Sequence, residues 1–95
     1  MLEATARRKV PGGKLLAVRL KHDGLHITDA EVSGDFFLYP EESIVSLEKV
    51  LIGLPVAADE EELIAAISEA MGDGHITALG FDARSLAAVV LEALR

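Results

Sequence analysis

Lys14–Ser33 reads KLLAVRLKHDGLHITDAEVS, and its rhythm sets the architecture. From Lys14 to Lys21 apolar and polar residues alternate. Leu16, Val18 and Leu20 fall on one side, and Ala17, Arg19 and Lys21 on the other. A period of two is the mark of a half-buried strand. His22-Asp23-Gly24 then supplies a hairpin turn, in which Asp-Gly is the strong signal. Apolar parity changes in the returning strand, where Leu25 and Ile27 share one side and Ala30 and Val32 the other. A bulge near Thr28-Asp29 would place both pairs on the core side.

Upstream, residues 3–10 run into Val10-Pro11-Gly12-Gly13, a turn signal that makes them the first strand of an antiparallel meander. Downstream, the pattern becomes helical. After Tyr39-Pro40, the segment 41–52 carries Ile44, Leu47, Val50 and Leu51 at helical spacing. Glu41 and Glu42 suit its first turn, and Gly53 with Pro55 stops it. Asp59 is placed to cap a second helix, with Glu62 three residues on and Gly72 at its end. Its core face is Leu63, Ile64, Ile67, Ala70 and Met71. Ile76 and Leu79 fit a short connector, and Asp82 caps a last helix with Leu86, Val89, Val90 and Leu94 inward. Strands first and helices after give an α+β domain over residues 1–95: a small three-stranded meander with three helices packed on one face.

Composition narrows the function. The 95 residues are 51% hydrophobic but contain no Trp, one Tyr and three Phe, so the core is expected to be aliphatic. The absence of Cys removes disulfides, thiolate metal sites and cysteine nucleophiles, and it is consistent with a reducing cytoplasm. The N-terminus lacks the apolar stretch of a signal peptide, and the longest apolar run, Leu86–Leu91, is far short of a membrane span. The expectation is a soluble cytoplasmic chain with no membrane contact. The net charge of −7 is unevenly spread. Residues 1–22 hold six basic residues and one acid, for +5; the remainder holds three basic residues and fifteen acids, for −12. Such a dipolar domain can orient against a partner or an anionic ligand. Nucleic-acid binding is not expected, because the chain is acidic overall and its basic stretch has no interleaved aromatics for base stacking.

No active site assembles from the residue types present. His22, His26 and His75 lack the one-turn helical spacing of a metal pair, so no metal is expected. No Ser sits in a Gly-x-Ser-x-Gly elbow. The run Glu60-Glu61-Glu62 reads as a solvated helix start, and Gly12-Gly13-Lys14 lacks the spacing and the following hydroxyl of a Walker loop. Two motifs remain. In Val10-Pro11-Gly12-Gly13-Lys14, a tight turn exposes amides beside a lysine, which suits either an anion or a plain strand connection. In Ser33-Gly34-Asp35-Phe36-Phe37, Gly34 permits a sharp bend and Asp35 can pin the strand exit. Adjacent Phe36 and Phe37 on extended backbone face opposite ways, so one is available to an interface.

In this order and spacing the two motifs resemble the C-terminal accessory domain of lipoate–protein ligases. That family has a Pro-Gly-Gly-Lys-like turn, a strand pair, Gly-Asp-Phe-Phe, and then a helix with Leu-Glu and a late Gly-Leu, here Leu47-Glu48 and Gly53-Leu54. The specific part of the resemblance covers about residues 5–55. It implies a fold like that of iron–sulfur scaffold and sulfur-transfer domains, whose cysteine chemistry this chain cannot perform. It also implies the stand-alone small subunit of a two-part, archaeal-type ligase. Such a subunit pairs as a heterodimer with a large catalytic subunit for ATP-dependent activation of lipoate to lipoyl-AMP. The complex uses lipoate, ATP and Mg, while the small chain binds no cofactor by itself. Gly12, Gly13, Lys14, Asp35, Phe36 and Phe37 are then the residues expected near the partner and the adenylate. A non-catalytic adaptor that recruits the lipoyl-acceptor domain is the alternative, since acceptor domains are commonly acidic and the first strands here are basic.

Overall fold

A computed structural model describes residues 1–10, 12 and 14–95. Three strands, β1 (Leu2–Lys9), β2 (Leu15–His22) and β3 (Ile27–Gly34), form an antiparallel sheet in the order β1-β2-β3. The alternation in β2 is realised as expected: Leu16, Val18 and Leu20 are buried, while Arg19 and Lys21 face solvent. Three helices, α1 (Ser43–Leu51), α2 (Glu60–Asp73) and α3 (Ala83–Leu94), cover the apolar face of the sheet. The buried cluster is Leu, Ile, Val and Ala apart from Phe81, the aliphatic core that the composition dictated.

The parity switch in β3 is resolved by a bulge. Lys21 pairs with Asp29 and His22 with Ile27, so Thr28 is the extra residue, which returns Ile27, Ala30 and Val32 to the core side. Leu25 does not join them. It lies in the turn before β3 and is 71% exposed, because the loop is wider than a two-residue hairpin. Asp23 holds that loop, its carboxylate accepting from the amides of Leu25 and His26 at 2.8 Å each. These bonds keep the Asp23 carboxyl below the ordinary range, the His26 amide having the larger effect.

Two helix ends and one connector depart from expectation. Glu41 and Glu42 precede α1 instead of filling its first turn: the chain makes a turn after Pro40, where the Ser43 amide donates to the Pro40 carbonyl at 3.0 Å. α2 continues through Gly72 to Asp73, and Gly74 is its cap. The connector expected at Ile76 and Leu79 is a strand, β5 (Thr77–Leu79), pairing antiparallel with β4 (Phe37–Tyr39) in a separate two-stranded ribbon. Strands of three residues are too short to display a period.

Caps agree more closely. Asp59 accepts from the Glu62 amide at 2.8 Å at the start of α2. At α3 the capping box is reciprocal: Asp82 accepts from the Ser85 amide at 2.8 Å, and the Ser85 hydroxyl accepts from the Asp82 amide at 2.9 Å. The Ser85 amide, and after it the Ser85 hydroxyl, hold the Asp82 carboxyl below its ordinary value. A depressed carboxyl contributes stability above the unfolded-state pKa and loses it as pH falls through the folded one. Asp82→Ala is therefore expected to cost about 1 kcal/mol at neutral pH. In thermal melts this is a loss of about 4–8 °C, shrinking as the pH is taken below about 4.

Candidate functional site

The hairpin between β1 and β2 closes when the Val10 amide donates to the Lys14 carbonyl at 2.9 Å, with Gly12 at φ +99° within the turn. Lys14 therefore stands at the start of β2, at the same end of the sheet where β3 leaves. Gly34 pairs with Leu16 there, and the Asp35 amide donates to the Leu15 carbonyl at 2.9 Å. It is the main chain of Asp35 that ties the strand exit to β2. A Cβ on Gly34 would collide with the Leu15 carbonyl oxygen, and its φ of +149° is foreign to other residues.

This geometry brings the two motifs together. Lys14, Gly34, Asp35, Phe36 and Phe37 line one open pocket of about 530 Å³. Exposed Gly12 stands in the neighbouring turn, whereas Gly13 and Pro11 lie outside the described residues. The question of the paired Phe is answered by burial. Phe36 turns inward and meets Phe81 edge-on, with ring centroids 4.9 Å apart at 73°. Phe37 turns outward and is 66% exposed.

The ribbon extends this apolar surface. Phe37 lies opposite Leu79 and Tyr39 opposite Thr77, so their side chains share the outer face while Leu38 and Ala78 point inward. Tyr39 and Leu79 are 58% and 55% exposed. A second depression of about 290 Å³ runs along it between Phe36, Phe37, Tyr39, Glu41 and Ile44. Sequence reasoning reached Phe37 but missed Tyr39 and Leu79. The available signal was weak: an apolar residue two positions from Thr77, and Tyr39 two positions from Phe37.

Charge is sorted along the sheet's open face. The cross-strand rows Glu3–Lys21–Asp29 and Thr5–Arg19–Glu31 mix signs, and Arg19 donates to Glu31 at 3.1 Å. That contact, chiefly the hydrogen bond, pushes the Arg19 pKa further up. Toward the Lys14 end the rows become Arg7–Ala17–Ser33 and Lys9–Leu15, with no acid opposite the cations. Arg8, on the helix-covered side, pairs with Glu92 of α3 at 3.6 Å. The unbalanced positive charge is therefore gathered beside the pocket. Among the described residues no group of three or more His, Cys, Asp or Glu could hold a metal ion, and no helix is long and apolar enough to cross a membrane.

The arrangement offers a cation, exposed turn backbone and an apolar shelf side by side. It can engage an anionic group and a protein surface together. The carboxyls held low, Asp23 and Asp82, are occupied in a turn and a cap.

No family model matches the sequence. One curated relative, lipoate-protein ligase A subunit 2 of Thermoplasma acidophilum, is 40% identical over 63 residues, which span 66% of this chain and 63% of that protein. A solved chain from an archaeal lipoylation system of T. acidophilum, comprising a bi-partite lipoate protein ligase and its E2 lipoyl domain, superposes with a TM-score of 0.66. It is 30% identical and is matched over 100% of this chain and 94% of its own length.

Proposed function

This chain belongs to the family of small subunits of bi-partite lipoate–protein ligases, and we propose that it is the accessory subunit of such an enzyme. It joins a large catalytic subunit as a heterodimer and is required for ATP-dependent activation of lipoate to lipoyl-AMP in the cytoplasm. Lipoate, ATP and Mg belong to the complex, and this chain supplies no reacting group. The observation that supports the reading is the convergence of Lys14 with Gly34, Asp35, Phe36 and Phe37 in one open pocket continuous with the ribbon's apolar face. The apolar face gives the contact area of an interface core. Lys14 and the Gly12 turn are then carried to the partner's nucleotide site, where closure of the joint excludes water.

Pyrophosphate release from lipoate and ATP tests the proposal. The large subunit alone should release little, and the reconstituted pair should release it readily; equal rates with and without this chain would remove the claim. Lys14→Ala should slow adenylation about tenfold or more, the cost of one charge-assisted contact. Transfer from premade lipoyl-AMP should be unaffected. The unbalanced cations Arg7, Lys9 and Lys14 favour a second reading, recruitment of an acidic lipoyl-acceptor domain. A pull-down separates them: retention by acceptor domain and not by large subunit selects the second.

A further inference from the structure

The two edges of the three-stranded sheet are finished differently. On β3 the outward main-chain groups are satisfied one after another. The Ile27 amide donates to the Leu54 carbonyl at 2.9 Å, and the Ile27 carbonyl accepts from the Gly53 amide at 2.8 Å. Asp29 takes the Ala30 amide at 3.0 Å, and the Glu48 carboxylate takes the Val32 amide at 2.8 Å. β1 is the other edge, eight residues long, and no described residue pairs with its outer side. Because the Leu15 carbonyl faces Asp35, the main-chain groups of Leu16, Val18 and Leu20 face β1, opposite Arg8, Ala6 and Ala4. The amides and carbonyls of Glu3, Thr5, Arg7 and Lys9 therefore point outward, an open row that another strand can extend.

Beneath one end of this edge an open depression of about 360 Å³ lies between β1 and α3, lined by Arg8, Lys9, Val10, Arg84, Ser85 and Ala88. Val10, Asp82 and Ser85 also line a neighbouring depression of about 230 Å³ that reaches Phe81 and Gly80. Gly80 follows Leu79 of β5 and packs on Phe36, where an added Cβ would stand 3.1 Å from the Phe36 Cβ. Phe36 in turn lines the Lys14 pocket. One trough thus joins the β1 edge to the apolar face of the ribbon, so a protein seated on the ribbon is led to the edge.

We propose that an extended segment of the large catalytic subunit adds to β1 as a fourth strand. Alternate side chains of that strand fall on the helix-covered side. There Ala4 and Ala6 are small enough to let it approach, and one apolar side chain fills the depression over Ala88. On the open face the rows of Arg7 and Lys9 contain no acid, so carboxylates on the arriving strand complete them. Arg8 and Arg84 add to this field, since each has only a long, exposed pair, with Glu92 at 3.6 Å and Glu60 at 3.8 Å. The proposal rests on the accessory role and extends it: the ribbon and the edge are two parts of one heterodimer interface.

Amide hydrogen exchange along β1, measured in the free chain and in its complex with the large subunit, is the test. The amides of Glu3, Thr5, Arg7 and Lys9 should slow at least about tenfold in the complex, while those of Ala4, Ala6 and Arg8, already facing β2, should change less. Protection at every second residue is the mark of strand addition; side chains docking on either face would not produce it. Thr5→Pro deletes one outward N–H, a change that an edge strand tolerates. It should raise the dissociation constant for the large subunit about tenfold. Ala88→Phe leaves the edge intact and fills the depression, and it should weaken binding by a similar factor. If the large subunit does not bind the wild-type chain, the accessory role falls and the proposal with it. Binding that leaves the outward β1 amides unprotected, or that both variants retain in full, overturns the proposal alone. Alternate protection by the lipoyl-acceptor domain and not by the large subunit also overturns it, giving the edge to the acceptor.

Discussion

Gly34→Ala is expected to cost at least about 3 kcal/mol, the combined effect of backbone strain and a forced shift of packed neighbours. Two independent causes act at one Cα. The added Cβ meets the Leu15 carbonyl oxygen, and that oxygen cannot retreat because it accepts the Asp35 amide. The φ of +149° is also outside the range of an alanine. Relief would require β3 to peel from β2 at the row where Leu16, fully buried, faces Gly34. For a domain of this size the melting temperature should fall by about 12–24 °C. Gly12→Ala provides the contrast. Gly12 also has a positive φ, +99°, but a Cβ there meets nothing, so only the conformational cost of about 1–2 kcal/mol applies. Chemical denaturation of both variants checks the difference. If Gly34→Ala were no worse than Gly12→Ala, the close approach to Leu15 would not be what the glycine serves.

These two glycines have the same chemistry in the sequence and differ only in what the fold brings beside them. The meander was legible because β2 alternates over a full eight residues, long enough for its period to show. Helical spacing identified Leu47 and Leu51 in α1 and Leu63 and Ile67 in α2 for the same reason. Boundaries were less legible. Glu41 and Glu42 have the chemistry of a helix start, yet the turn after Pro40 takes them first; Gly72 has the chemistry of a helix stop, yet the helix tolerates it and ends at Gly74. Parity alone places Leu25 inward, and the Asp23 loop turns it out. The β4–β5 ribbon was hidden for a stronger physical reason. Its pairing joins residues some forty apart, and neither three-residue strand carries a pattern. Of the site, the motifs were visible, but their convergence depends on the Leu16–Gly34 register and the bond from Asp35 to Leu15. Glu48 illustrates the same limit. As a residue type it is an ordinary helix-surface acid, and only the structure shows its carboxylate closing the β3 edge at Val32.

The ribbon's outer face should carry most of the energy of association with the large subunit. An aromatic ring that passes from exposed to fully covered removes roughly 100 Å² or more of apolar surface from water, and central aromatic anchors commonly cost about 2 kcal/mol or more when lost. Phe37, 66% exposed, and Leu79, directly opposite it, form the apolar row at one end of this face, with Tyr39 two residues along. The double variant Phe37→Asp/Leu79→Asp both removes that surface and forces two carboxylates into a dry contact. The dissociation constant should therefore rise at least about 30-fold, and by more if both acids stay charged. Lipoate-dependent pyrophosphate release at fixed subunit concentrations should fall with it, and excess small subunit should restore part of the rate. Stability should change by no more than about 0.5 kcal/mol per site, because neither side chain is in the core. Leu25→Asp is the control: it is more exposed than either, at 71%, but stands in the Asp23 loop, away from the ribbon. Calorimetric titration of the large subunit with each variant decides the matter. Wild-type affinity in the double variant, or an equal loss in Leu25→Asp, would move the interface away from β4 and β5 and leave Phe37 an unpartnered aromatic at the end of a short strand.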